Sequence, residues 1–136
     1  MVLVDTSVFI NYLRDIDNPT TDQFQLIIDQ GVSYAINNFI YQELLQGCKT
    51  EKDYKLLESY LNTQQFVDFK NGRESYAMAA KIYFKLRKRG VTVRSTIDCL
   101  IAQMAVENDC YLLHNDEDFT HMSRVVPLKI WELNYQ

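Results

Sequence analysis

The sequence predicts an α/β fold: a three-layer α/β/α sandwich around a mainly parallel sheet of four to five strands. Short uninterrupted apolar runs alternate with longer stretches of helical periodicity. The first of them, Val2-Leu3-Val4, is apolar at every position, as in a strand covered on both faces. The chain of 136 residues is long enough for one core of this kind, and a single domain over residues 1–136 is expected, with no repeat or linker.

Val2, Leu3 and Val4 form the first run, which ends at Asp5-Thr6-Ser7. Thr6 or Ser7 can cap a helix carrying Val8, Phe9, Tyr12 and Leu13 at helical spacing. Asn18-Pro19-Thr20-Thr21-Asp22 breaks the chain and restarts it as a helix striped by Phe24, Ile27 and Ile28, with Gly31 closing it. Residues 33–36 read as a brief second strand. A helix from Asn38 holds Phe39, Ile40, Glu43, Leu44 and Gly47, and the next holds Tyr54, Leu57, Tyr60 and Leu61. A short strand is expected over residues 66–69. Residues 72–89 form a long helix with Tyr76, Ala79, Ala80, Tyr83 and Leu86 on one side, stopped by Gly90. Ser95 opens a helix through Ile97, Leu100, Ile101, Ala102, Met104 and Ala105. Residues 110–113 read as strand, 116–122 as a short helix and 128–131 as the last strand.

Composition removes several classes. Hydrophobic residues at 47% and charged residues at 24% belong to an ordinary globule, and four Gly with two Pro exclude low-complexity architectures. No apolar run approaches the ~18 to 20 residues of a membrane span. Asp5 and Arg14 interrupt the N-terminus, so no secretory signal is expected and the protein is read as cytoplasmic. Cys48, Cys99 and Cys110 form no Cys-x-x-Cys pair and are expected to be small buried hydrophobes. His114 and His121 have no ligand-spaced companions for zinc. The net charge of −4 argues against a general nucleic-acid binder, but it conceals an asymmetry.

Four carboxylates concentrate the functional signal. In parallel α/β sheets, ligands bind beyond the carboxyl ends of the strands where strand order reverses, and Asp5 and Asp116 each follow a predicted strand. Glu43 shares a helical face with Phe39, Ile40 and Gly47, and Asp98 shares one with Ile101, Ala102 and Ala105. Each acid has an ordinary alternative: Asp5 as a cap, Asp98 in a capping box with Ser95, Asp116 in a solvated turn, Glu43 on an exposed face. A carboxylate on a buried stripe must be paired, protonated or bound to a cation. No comparable set of core-facing Lys or Arg is present. Oxygen ligands without thiols or clustered imidazoles select magnesium, with manganese as a substitute, over zinc or copper. At about 5 Å, unit charges repel by about 3 kcal/mol per pair at an effective dielectric of ~20, so a merely structural cluster would strain the fold.

Val4-Asp5-Thr6-Ser7, Gln42-Glu43-Leu44-Leu45-Gln46-Gly47, Thr96-Ile97-Asp98-Cys99-Leu100-Ile101-Ala102 and Leu112-Leu113-His114-Asn115-Asp116-Glu117-Asp118-Phe119 resemble the four signatures of the PIN-domain family, in order and spacing. The resemblance is closest to its VapC-type toxin ribonucleases of type II toxin–antitoxin pairs. It implies a PIN-like sandwich with catalytic acids at Asp5, Glu43, Asp98 and Asp116. Asp5, Asp98 and Asp116 would be the metal ligands, with Glu43 a ligand or an orienter of the attacking water. Thr6 and Ser7 are candidate donors that orient the carboxylates. The implied reaction is magnesium-dependent cleavage of structured cellular RNA such as tRNA, leaving a 5′-phosphate and a 3′-hydroxyl. A VapB-like antitoxin and a homodimer are the implied partners. His114 stands where many relatives have Thr, and Asp118 either assists the acids or acts as a cap, capping being the favoured reading.

Lys81, Lys85, Arg87, Lys88, Arg89 and Arg94 place six of the 14 basic residues in one short stretch, with no acid between Glu74 and Asp98. A solubilising helix face is the plain reading. A positive rim beside an acidic metal site is the one a phosphodiester substrate would need, making Arg94, Arg89 and Lys85 the candidate RNA contacts. Tyr12, Tyr41 and Tyr76 are candidate base-stacking residues. The alternative function is a non-catalytic PIN-like module that binds RNA or protein. A phosphoaspartyl phosphatase would want an acid two residues beyond Asp5, where Ser7 stands.

Overall fold

The computed structural model of the protein describes residues 1–132, so positions 133–136 of the expected domain lie outside the described residues. Strand β1 (Val2–Val4) is buried at all three positions, which requires neighbours on both edges and cover on both faces. Its neighbours are β2 (Tyr34–Ala35) on one side and β3 (Tyr111–Leu113) on the other, and β4 (Lys129–Ile130) pairs with β3. The order is β2-β1-β3-β4 and every pair is parallel. Val2 stands opposite Tyr34 and Tyr111, and Val4 opposite Leu113. The sheet therefore grows one way from β1 to β2 and the other way to β3. The reversal opens a crevice beyond the carboxyl ends of β1 and β3.

Helices α1 (Thr6–Leu13), α2 (Pro19–Asp29), α3 (Asn38–Gln46) and α4 (Glu51–Leu61) pack against one another as one group. Helices α5 (Arg73–Lys88), α6 (Thr96–Glu107) and α7 (Glu117–Met122) form the other, completing the three layers. Local chemistry fixes the boundaries. The Asn18 carboxamide accepts from the Thr20 and Thr21 amides, and Thr21 Oγ1 accepts from the Asn18 amide, so a capping box with Pro19 behind it restarts the chain as α2. Gly31, at φ 68°, ends that helix in the left-handed region where a side chain is disfavoured. No helix among the described residues is long and apolar enough to cross a membrane.

Three local expectations are corrected. The strand expected over residues 66–69 is only a single bridge between Phe66 and Ile36. The Val67 amide donates to the Ile36 carbonyl at 3.0 Å, and beyond it side chains take over: the Asn108 carboxamide donates to the Asp68 carbonyl at 2.9 Å and Glu107 accepts from the neighbouring Lys70 amide at 2.9 Å. On α5 the buried stripe is Ser75, Ala79, Ile82 and Leu86, while Tyr76 and Ala80 are exposed. Cys99 and Cys110 are buried, but Cys48 is only half-buried, because it follows α3 in an open groove beside Leu13 and Leu57.

The stripe correction gives a stability test. Ile82→Ala should lower the unfolding free energy by about 2–5 kcal/mol, whereas Tyr76→Ala should change it by less than about 1 kcal/mol. Urea unfolding followed by circular dichroism measures both.

Candidate metal centre

Each acid is delivered by a defined piece of backbone. The Asp5 amide donates to the Leu113 carbonyl at 3.0 Å, so the β1–β3 ladder extends to this residue. Its carboxylate caps α1, accepting from the Ser7 amide at 3.4 Å and the Ser7 hydroxyl at 2.8 Å, and it is only 6% exposed. Glu43, half-buried on α3, accepts from the Thr6 hydroxyl at 2.7 Å. Asp98 lies in the first turn of α6, where the Ser95 hydroxyl accepts from its amide at 3.4 Å. The reciprocal half of that capping box is absent among the described residues, so the Asp98 carboxylate is left for its acidic neighbours. Asp116 caps α7, its Oδ1 accepting from the Asp118 amide at 2.9 Å.

Asp118 departs from the expectation that it acts as a cap. Asp116 supplies the cap, and Asp118 turns inward at 8% exposure, with a buried Oδ2 that has no hydrogen-bond partner among the described residues. Carboxylate oxygens of Asp98, Asp116 and Asp118 lie within 4.8 Å of one another. Asp5 and Glu43 stand outside this trio but close enough for their charges to act on Asp98. His114 Nδ1 accepts from the Asp116 amide at 3.1 Å while its ring packs on Phe119 at 5.2 Å, which steadies the turn carrying both aspartates.

The electrostatics register the convergence. Burial pushes the Asp5 carboxyl up to about 6, against the opposing Ser7 hydrogen bonds, and Glu43 adds to the rise. Burial pushes Asp98 up to about 7, reinforced by the charges of Asp5, Asp116, Glu43 and Asp118. Burial holds the His114 imidazole below its ordinary value although Asp116 pulls the other way. The Cys99 thiol is pushed up to about 11 by burial and then by Asp98 and Asp118, so it is no thiolate nucleophile. The ion pairs among the described residues, Lys55 with Glu51 and Lys129 with Asp109, leave the five acids unpaired. An all-oxygen donor set with one orphaned buried oxygen fits a hard divalent cation such as magnesium or manganese.

The expected RNA contacts separate. Arg94 is exposed immediately before Ser95, the cap of α6. Lys85 and Arg89 line a cleft at the C-terminal end of α5 that contains none of the acids. Of the tyrosines, Tyr12 packs on Phe24 at 4.7 Å, Tyr41 on Phe66 at 5.6 Å and Tyr76 on Phe69 at 5.0 Å, and Tyr76 is still 51% exposed.

With Asp5 near 6 and Asp98 near 7, the folded protein retains protons that the unfolded chain has already lost. The stability this confers is complete below about pH 4 and is lost as pH rises through about 6 and 7. Asp5→Asn should therefore stabilise the protein in chelator at about pH 8 by about 2 kcal/mol. It should also flatten the decline between about pH 4 and 6, read by urea unfolding across that range.

Known proteins extend this picture. The PIN domain family model matches residues 2–125. VapC ribonuclease Mb1587 of Mycobacterium bovis and ribonuclease VapC11 of Mycobacterium tuberculosis are each 30% identical over 136 residues, covering 95% of this chain and 96% of theirs. Among solved structures, VapBC-1 from nontypeable Haemophilus influenzae superposes with a TM-score of 0.75 at 16% identity, covering 99% of this chain and 100% of that one. VapBC2 from Rickettsia felis, bound to a DNA fragment from their promoter, gives 0.73 at 17% identity, over 96% and 98% of the two chains. On sequence and fold together, the chain belongs to the PIN-domain family, among its VapC-type ribonucleases.

Proposed function

We propose that this protein is a magnesium-dependent endoribonuclease, the toxin of a VapBC-like toxin–antitoxin pair, acting in the cytoplasm on structured RNA such as tRNA. The observation that carries the reading is the unpaired acid cluster at the strand-order reversal, in a chain 30% identical to VapC ribonucleases over nearly its whole length. Manganese would substitute for magnesium at the same oxygens.

Asp98, Asp116 and Asp118 would hold the ion, with Asp5 completing the negative wall beside Asp98. When bound, a divalent ion supplies positive charge against the phosphodiester and lowers the pKa of water. Glu43, its oxygen fixed by the Thr6 hydroxyl, orients the attacking water and accepts its proton. The water oxygen bonds to phosphorus as the bond to the 3′ oxygen breaks. The departing oxygen takes up a proton, leaving a 3′-hydroxyl and a 5′-phosphate. Ser7 keeps the Asp5 carboxylate in one orientation through that change.

A VapB-like antitoxin is the partner this reading requires, and the VapBC structures that share the fold support it. An open cleft lined by Ile10, Leu13, Leu44 and Leu57, between α1, α3 and α4, offers apolar surface to such a partner. Homodimerisation belongs to the same reading.

Asp98→Asn and Asp118→Asn should each reduce cleavage of tRNA by about 100-fold or more, and chelator should silence the wild type. Magnesium or manganese should raise the melting temperature of the wild type but not of Asp98→Asn, a readout independent of activity. RNA binding without cleavage by the wild type would favour a non-catalytic module. Full activity in chelator would reject the metal chemistry.

A further inference from the structure

The C-terminal end of α5 and the turn after α7 face each other across a cleft lined by Lys85, Lys88, Arg89, Arg124 and Val125. Lys85 and Lys88 in the last turn of α5 complement its helix dipole, which accounts for cations on that helix. It does not account for Arg124, which arrives from a different element to face them. The Arg124 guanidinium is held in place: Nη1 lies 3.2 Å from His121 Nδ1. Lys88 is steadied too, with its ammonium 4.7 Å from the centre of the Phe84 ring. None of the four cations joins an ion pair among the described residues. Four like charges gathered from two elements repel one another until an anion lies between them.

The cleft is tied to the acid cluster by α7 itself. That helix runs from the Asp116 cap to Met122, about 9 Å at helical rise, and Arg124 follows two residues later. This is the span of a few nucleotides. We propose that this cleft seats the phosphodiester backbone of the RNA substrate a few nucleotides from the scissile bond, with Arg124 and Lys88 as its principal phosphate contacts. The assignment rests on the ribonuclease reading above and adds to it where the strand runs. An acidic peptide is the competing occupant, and continuity with the acid cluster through α7 favours the RNA.

The test is binding of bulk tRNA by the full chain carrying Asp98→Asn, so that the RNA is not cut, across a salt series. Adding Lys88→Gln with Arg124→Gln should weaken binding about tenfold and flatten the slope of log affinity on log salt by about 1.5. Lys52→Gln with Lys55→Gln, an equal charge change on the exposed face of α4, should leave the slope nearly as in the parent. A polyaspartate peptide is measured alongside. An unchanged slope, an equal loss in the α4 control, or loss of polyaspartate binding with RNA binding retained would each overturn the assignment. Wild-type cleavage is assayed separately: its absence counts against the nuclease reading, whereas normal cleavage with RNA binding unaffected by the pair counts against the cleft alone.

Discussion

Mutual repulsion among five carboxylates is the constraint that shapes this molecule. Asp5, Glu43, Asp98 and the neighbouring pair Asp116 and Asp118 come from four separate stretches of chain, and no described cation pairs with any of them. The fold offsets part of this by where it starts its helices. Asp5 caps α1, Asp116 caps α7, Asp118 lies in the first turn of α7 and Asp98 in that of α6. Four of the five acids therefore sit where free amides and the positive end of a helix dipole favour negative charge. Glu43, within α3, is the exception, and it receives a hydroxyl donor from Thr6 instead. Burial, reinforced by the repulsion that remains, keeps the carboxyls of Asp5 and Asp98 raised.

The parallel sheet makes this geometry available. Helices that follow parallel strands begin at one edge of the sheet, so their N-termini gather there. The short β1 and β3 suffice because they are buried and paired in register through Val4 and Leu113, and the Asp5 amide adds one more rung. A shift of one residue between them would turn Val4 and Leu113 away from their present neighbours and carry Asp5 away from the α7 turn. Register and chemistry are thus the same constraint seen from two sides.

What could be read from the sequence, and what could not, follows from the range of the forces involved. Local chemistry marks Asp5 after β1, the restart of the chain at Asn18-Pro19, and Asp98 on the apolar face of α6. From sequence Asp118 reads as a cap because Asn115, Asp116 and Asp118 are all competent capping residues in one turn. Only the extended backbone at Asp116, with ψ 125°, decides that it caps and that Asp118 turns inward. The strand expected over 66–69 failed because Glu107 and Asn108, far along the chain, take the backbone groups a strand would have used. Arg124 carried no sequence signal. It stands alone in its stretch of chain and joins Lys85, Lys88 and Arg89 only through the packing of α7 on α5.

That separation of charge is also why the acids stay usable. A buried carboxylate usually takes an Arg or Lys partner, and an ion pair formed here would lower the carboxyls while occupying the oxygens a divalent ion needs. Instead the cations nearest in purpose are held in a cleft of their own, about two turns of helix from the cluster. At that distance in water the attraction between the two poles is largely screened, so neither collapses on the other. On the proposed function, a polyanion carrying a phosphate at each position would satisfy both at once, one phosphate among the cations and another beside a metal held by the acids. The acids and the cations would then be two halves of one charge arrangement, which a nucleic-acid strand with a divalent ion would complete.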